Sequence, residues 1–200
     1  MKFILIRHGE TYANVEQLIY GTTHSEFTKK GIKQIDYIMK YVQSVNVDYV
    51  YSSPLDRTKV IADNIGRLIN KKVILVEQLS EMNYGIFEGL TPSIAKKRYP
   101  NEYNQFMNDY KDYIIPEGEN IIDFDNRVIE FLDDVKDING TSVIVTHGGV
   151  IRTSIMHLLN LRSEDRWHFK ILPGMIVEIE YKNGYGTLVH CFKELKSLVL

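Results

Sequence analysis

A chain of 200 residues suits one domain, or one domain with a modest insertion. Its net charge of −2, from 24 basic and 26 acidic side chains, offers no global positive field for nucleic acid or an anionic membrane surface. The one cysteine, Cys191, excludes an internal disulfide and any site built from several thiolates, and no apolar run approaches the ~18 residues of a membrane span.

The chain opens "MKFILIRHGE". This start lacks a signal-peptide pattern, so the cytoplasm is the expected location. Residues 3–6 read as a buried strand that runs directly into Arg7, His8 and Gly9. "FTKKGIKQIDYIMKYVQSV" reads as a helix capped by Thr28, with Ile32, Ile35, Ile38, Met39 and Val42 at helical spacing. "VDYVYSS" at 47–53 is a second strand, and Pro54 is expected in the first turn of the next helix. That helix carries Arg57 and the apolar residues Val60, Ile61, Ile65, Leu68 and Ile69. "KKVILV" is a third strand.

Residues 82–119 change character. Tyr84, Tyr99, Tyr103, Tyr110 and Tyr113 stand among charged residues, with prolines at 92, 100 and 116. The expectation is a helical cap inserted into a single domain covering 1–200. Its tyrosines either stack on a flat ligand or only close the cap. A long helix follows near 120–137, with Phe124, Val128, Phe131, Leu132 and Val135 inward. "TSVIVTHGG" gives a strand at 141–146, and "GGVIRTSIMHLLNL" a helix. Two strands, "MIVEIEYK" and "YGTLVHCF", are joined at Asn183-Gly184, a hairpin signal. Strands alternating with helices predict a three-layer α/β fold. Its sheet is mostly parallel, with helices on both faces and the C-terminal strand pair appended.

Open α/β sheets bind ligands beyond the carboxyl ends of their strands. Three segments bring polar groups there: Arg7 and His8; Ser52 and Ser53 with Arg57; and Thr146, His147, Gly148 and Gly149. Guanidinium groups bind phosphate oxygens in pairs, and a histidine can act as nucleophile or acid near neutral pH. Glycines at a helix start let a ligand approach free backbone N–H groups. The group suits phosphoryl transfer. A metal on His8 and His147, completed by Glu10 or Glu81, is the competing reading of the same residues. Glu10, Glu77 and Glu88 rival Glu81 as the functional carboxylate; Glu77 and Glu88 read as solvated surface groups, and Glu10 as a residue that orients the loop. Asp48, Asp56 and Asp63 read as surface acids, and His24, His157, His168 and His190 stand apart from the cluster.

"LIRHGETYAN", "TKKGIKQ", "SSPLDRTKVIA", "LSEMNYGIFEGLT", "PEGENIIDFDNRV" and "VIVTHGGVIR" together resemble the histidine phosphatase superfamily, in its phosphoglycerate-mutase-like branch, over residues 3–152. The resemblance implies that His8 is the nucleophile that becomes phosphorylated. It implies that Arg7, Arg57 and His147 hold the phosphoryl group, with Asn14 adding a hydrogen bond and Gly148 a backbone N–H; two arginines and a protonated His147 can stabilise the transferring charge without a metal. Glu81 is implied as proton donor to the leaving oxygen, and Gly21, Thr22 and Thr23 as substrate contacts. No metal and no cofactor are implied, and the partner is a small phosphorylated metabolite. The oligomeric state, monomer or homodimer, stays open.

Asn83 and "GLTPS" stand where mutases of this branch carry an arginine and an asparagine-lysine pair, which favours a phosphatase. "GIFEGLT", "PEGEN" and "VTHGGVIR" look most like the alpha-ribazole phosphatases of cobalamin nucleotide-loop synthesis, although Phe87 and Phe27 replace a tryptophan and a leucine common there. Broad sugar-phosphate phosphatases, phosphoglycerate mutases and a phosphoester-binding pseudo-enzyme are the alternatives.

Overall fold

The structure, a computed structural model, describes residues 1–193. In chain order it forms β1 (Lys2–Arg7), α1 (Tyr12–Val15), α2 (Lys29–Gln43), β2 (Tyr49–Ser52), α3 (Asp56–Ile69) and β3 (Val73–Leu75). Then come α4 (Pro92–Arg98), α5 (Pro100–Asn108), α6 (Ile121–Val135), β4 (Thr141–Thr146), α7 (Gly148–Leu158), β5 (Ile176–Lys182) and β6 (Tyr185–Phe192). Short 3₁₀ turns occupy Glu77–Leu79, Gly85–Phe87 and Ser163–His168. No helix among the described residues is long and apolar enough to cross a membrane.

The six strands form one sheet in the order β3-β2-β4-β1-β5-β6. β1, β2, β3 and β4 run parallel; β5 lies antiparallel to β1, and β6 antiparallel to β5. Successive strand side chains point to opposite faces, which sorts the core in two. Phe3, Leu5, Tyr51, Ile144 and Val177 pack with Phe124, Val128, Leu132, Ile151 and Ile155 of α6 and α7. Ile4, Ile6, Val50, Val143 and Val145 pack with Ile38, Val42, Ile61 and Ile65 of α2 and α3. The result is three layers, as the sequence predicts. Phe87, Ala95 and Ile115, from the 82–119 segment, join the first of these clusters.

Thr28 caps α2 by accepting the Gly31 N–H at 3.0 Å. Asn183 and Gly184 take φ of 53° and 77°, as a two-residue hairpin turn requires, and pair Lys182 with Tyr185. Several expectations are corrected. Pro54 lies outside α3, which starts at Asp56 after an extended Leu55. Ile32, Val60 and Leu68 are 54%, 45% and 40% exposed. They flank the stripe that α2 and α3 turn to the sheet, and helical spacing alone does not separate flank from centre. The third strand shrinks to Val73–Leu75 because it pairs only with β2 at the sheet edge, where Ile74 and Leu75 face solvent.

Candidate active site

Parallel register aligns the strand ends. Arg7 of β1 stands opposite Thr146 of β4, and Ser52 of β2 opposite Val145. His8, His147 and Ser53 therefore emerge side by side at the carboxyl edge. The His8 N–H donates to the Thr146 carbonyl at 3.1 Å, and the His8 carbonyl accepts the Gly174 N–H at 2.9 Å. The two imidazoles meet edge to face with centroids 5.4 Å apart. Beyond His8 the chain presses on the start of α2: a Cβ at Gly31 would lie 2.1 Å from the Glu10 carbonyl oxygen, so only glycine fits there.

His8 Nδ1 lies 2.8 Å from the Gly9 carbonyl oxygen. A carbonyl only accepts, so Nδ1 carries the proton and Nε2 keeps its lone pair. Burial, then the Arg7 and Arg57 charges, hold the His8 pKa well below the ordinary 6.5. The ring is neutral, with a fixed tautomer. His147 is also pushed well below 6.5, by burial first and then by Arg57, His8 and Arg7. Among these cations and away from water, with no anion bound, the neutral ring is favoured.

Arg7 donates from one terminal nitrogen to the Ile171 carbonyl at 2.6 Å. Arg57 donates to the carbonyls of Thr23, at 3.1 Å, and Gly21, and lies 4.8 Å over the Tyr20 ring. Arg7 Nε, Arg57 Nε and His147 Nδ1 are buried and have no partner. A buried donor left unmet costs about 1–3 kcal/mol, and more when charged. These three groups belong to residues that act on His8: His147 packs edge to face against its ring, and the Arg7 and Arg57 charges bear on it.

Glu81 arrives from the other side. Its carboxylate accepts the Met82 N–H at 3.1 Å and the Gly149 N–H at 3.0 Å, at the first turn of α7. Arg127 of α6 shapes the loop beneath it, donating to the carbonyls of Gln78, Ser80 and Glu81 and to both oxygens of Glu119. Asn14 Oδ1 accepts from the Thr11 N–H and hydroxyl, which leaves its NH₂ as the free end. Arg7, Asn14, Tyr20, Glu81, Gly148 and Arg152 all line one cavity of about 540 Å³. An apolar pocket of about 280 Å³ adjoins it, sharing Tyr84, Phe106 and Trp167. The tyrosines of 82–119 divide between two roles. Tyr99 and Tyr103 pack on Phe87 with centroids 6.2 and 5.9 Å away, whereas Tyr84, Tyr103 and Tyr110 line the cavity or its neighbour.

Gly21, Thr22 and Thr23 are not among the groups lining that cavity. Their N–H groups, with the Thr23 hydroxyl, donate to Glu88, while the Gly21 and Thr23 carbonyls hold Arg57. Glu88 is thus a clamp, and not the solvated group the sequence suggested. Glu10 turns its carboxylate away from His8, to Thr28 and Lys30. Among the described residues, no three His, Cys, Asp or Glu side chains are grouped to hold a metal. His24, His157 and His190 each face an acid outside the site: Asp56, Asp133 and Glu178.

Arg152 and Arg127 are the residues that sequence reasoning missed. Arg152, one turn along α7 from Gly149, donates Nε to the Phe169 carbonyl at 2.9 Å and lies 5.5 Å from the Trp167 centroid. The only advance signal was its place at the end of "VIVTHGGVIR".

The model of the histidine phosphatase superfamily (branch 1) matches residues 3–193. The chain is similar to the adenosylcobalamin/alpha-ribazole phosphatase of Escherichia coli K12, with 28% identity over 94% of both chains. Among solved structures it is similar to the alpha-ribazole phosphatase of Shigella flexneri, with TM-score 0.88, 29% identity and coverage of 94% of this chain and 95% of that one. It is also similar to a phosphoserine phosphatase of Entamoeba histolytica in complex with 3-phosphoglyceric acid, with TM-score 0.81, 29% identity and coverage of 97% and 98%.

Proposed function

The chain belongs to the histidine phosphatase superfamily, branch 1, and on that premise we propose that it hydrolyses phosphomonoesters through a phosphohistidine at His8. The observation that supports this reading is the set of unmet buried groups, Arg7 Nε, Arg57 Nε and His147 Nδ1, on three residues that act on an imidazole whose Nε2 holds a lone pair.

In the proposed reaction His8 Nε2 attacks phosphorus as the P–O bond to the leaving alcohol breaks. Negative charge spreads over the three remaining oxygens, and fixed cations stabilise it most when water is excluded. Arg7 and Arg57 supply two positive charges, which makes the chemistry independent of a metal. The Asn14 NH₂ and the Gly148 N–H add donors. The bound dianion offsets the two guanidinium charges, so His147 can take up a proton with substrate in place and donate as well. Glu81 passes a proton to the leaving oxygen, a contribution of about 10²–10⁴. Its carboxylate then takes a proton from water, the water oxygen attacks phosphorus, and the P–N bond breaks to release phosphate and neutral His8.

Residues 82–119 act, in this reading, as a cap on a single phosphatase domain. Alpha-ribazole 5′-phosphate is the substrate candidate that the resemblance and the relatives support; a broader sugar-phosphate range is the alternative. The test is rapid quenching during turnover with chelator present, followed by detection of acid-labile phosphate on His8. Trapped phosphohistidine and an inactive His8→Ala variant of unchanged fold are expected. Undiminished hydrolysis by that variant would overturn the covalent route. A competition among alpha-ribazole 5′-phosphate, sugar phosphates and phosphoglycerate then ranks the leaving groups.

A further inference from the structure

The peptide group that fixes the His8 tautomer has a second side. His8 Nδ1 donates to the Gly9 carbonyl at 2.8 Å. The same peptide group carries the Glu10 N–H, which donates to Gln34 Oε1 at 2.8 Å. The carbonyl and N–H of a trans peptide point opposite ways in one rigid plane. A single amide therefore stands between the imidazole and a side chain of α2, and it does not tilt at one end without moving at the other.

Gln34 lies within α2 and is 1% exposed. A backbone donor faces it, so its amide presents oxygen there. Its Nε2 is then left buried without a partner. That unmet donor costs stability which a methionine of similar length would not. What the amide supplies in return is one acceptor for the Glu10 N–H. The Gln34 stem also passes close over Gly174: a Cβ there would lie 2.8 Å from Gln34 Cβ. Gly174 in turn donates to the His8 carbonyl at 2.9 Å. Gln34 thus supports the His8 backbone from one side and the acceptor of its ring proton from the other.

An oxygen on the N–H polarises the amide and makes its carbonyl a better acceptor, by roughly 10–30%. A better acceptor favours the proton on Nδ1 over the alternative tautomer. It also favours the cationic ring that forms when Nε2 is phosphorylated, because Nδ1 keeps its proton then. We propose that Gln34 is a positioning residue that acts through the Gly9–Glu10 peptide group, holding the His8 proton on Nδ1 and so leaving Nε2 free to react. The kinetic consequence rests on the phosphatase reading; the tautomer does not.

The test is nitrogen-15 NMR of the histidine rings near neutral pH, with the His8 signals assigned by their absence in His8→Ala. The wild type should show a protonated Nδ1 and a bare Nε2. A wild-type proton on Nε2 would overturn the proposal before any variant is made. Gln34→Met removes the acceptor at similar length. It should give mixed His8 tautomers and lower kcat on p-nitrophenyl phosphate by about 10- to 100-fold, with KM little changed. Gln34→Glu keeps an acceptor oxygen and should restore the single tautomer and most of the rate. A Gln34→Met protein with the wild-type tautomer refutes the role, whatever its rate, and so does a Gln34→Glu protein that matches it in both readouts. Thermal melts report folding. If Gln34→Met does not fold, hydrogen exchange in the wild type decides: the Glu10 amide should be protected like the core strands, and fast exchange would refute the Gln34 bond. A Gln34-dependent tautomer in a protein that hydrolyses no phosphomonoester would refute the hydrolase and keep the positioning role.

Discussion

Replacing Gly149 by alanine tests the placement of the acid without touching it. A Cβ at this position would sit 2.3 Å from Glu81 Oε1 and 3.0 Å from Phe124 Cζ. Carbon and oxygen do not approach closer than roughly 3.2–3.5 Å without repulsion, so the carboxylate must retreat by roughly 1 Å. Phe124 is buried and gives way less readily, whereas Glu81 reaches the site with the end of a flexible chain. The carboxylate is therefore the part that moves, and its bond from the Gly149 N–H is lost with it. A misplacement of roughly 1 Å costs about 10² in rate. Stability should change little: alanine gains up to ~1 kcal/mol of helix propensity over glycine, and the lost hydrogen bond removes a similar amount.

The expected signature depends on the leaving group. Alkyl phosphates, whose alkoxide needs a proton, should lose about 10² in kcat/KM. p-Nitrophenyl phosphate leaves as a stable phenolate and should lose much less. The assay is a series of esters of graded alcohol pKa, run on Gly149→Ala and wild type, with thermal melts as the control. Equal loss across the series, or none, would refute the role given to Glu81.

Two other outcomes follow from the same geometry. Glu88→Ala removes the acceptor for the N–H groups of Gly21, Thr22, Thr23 and Tyr84; kcat/KM should fall about 10- to 100-fold as Arg57 loses its carbonyl seat, with about 1–3 kcal/mol of stability. Unchanged kinetics would show that Arg57 is held without this clamp. His8 and His147 have pKa values below 6.5 in the folded state and near 6.5 in the unfolded chain, so below about pH 6.5 the unfolded chain binds more protons. Stability is full above that pH and falls on acidification, by up to about 1.4 kcal/mol per pH unit for each ring. Urea unfolding between pH 7 and 5 should show this slope, reduced in His8→Asn; a flat profile would refute the buried neutral rings.

The strand ends carried most of what was readable in advance. Arg7, His8, Ser53 and His147 each follow a short apolar run, and parallel pairing brings such ends to one edge whatever the loops do. The inward residues of α6 were readable for a similar reason, since Phe124, Val128, Phe131, Leu132 and Val135 follow a single helical period. The second tier was not. Glu88 reads as one more charge in a polar stretch, because its partners lie 65 to 67 residues earlier for the Gly21–Thr23 loop and only the folded cap brings them together. Arg127 looks like the polar face of an amphipathic helix until the Glu81 loop folds over it. Arg152 is a lone cation on a helix until Phe169 and Trp167 fix it. The acceptor that fixes the His8 tautomer is a backbone carbonyl, which no side-chain motif encodes.

The stretch between the 3₁₀ turn and β5 moors both flanks of the pocket: Phe169 takes Arg152, Ile171 takes Arg7, and Gly174 and Met175 bond the backbone of His8 and Arg7. Length there is a tuned quantity. One residue added or removed would detune two cations and His8 together, while the solvent-facing turn at Asn183-Gly184, where Gly184 has nothing within 4 Å, is the place to splice in a tag or fusion partner.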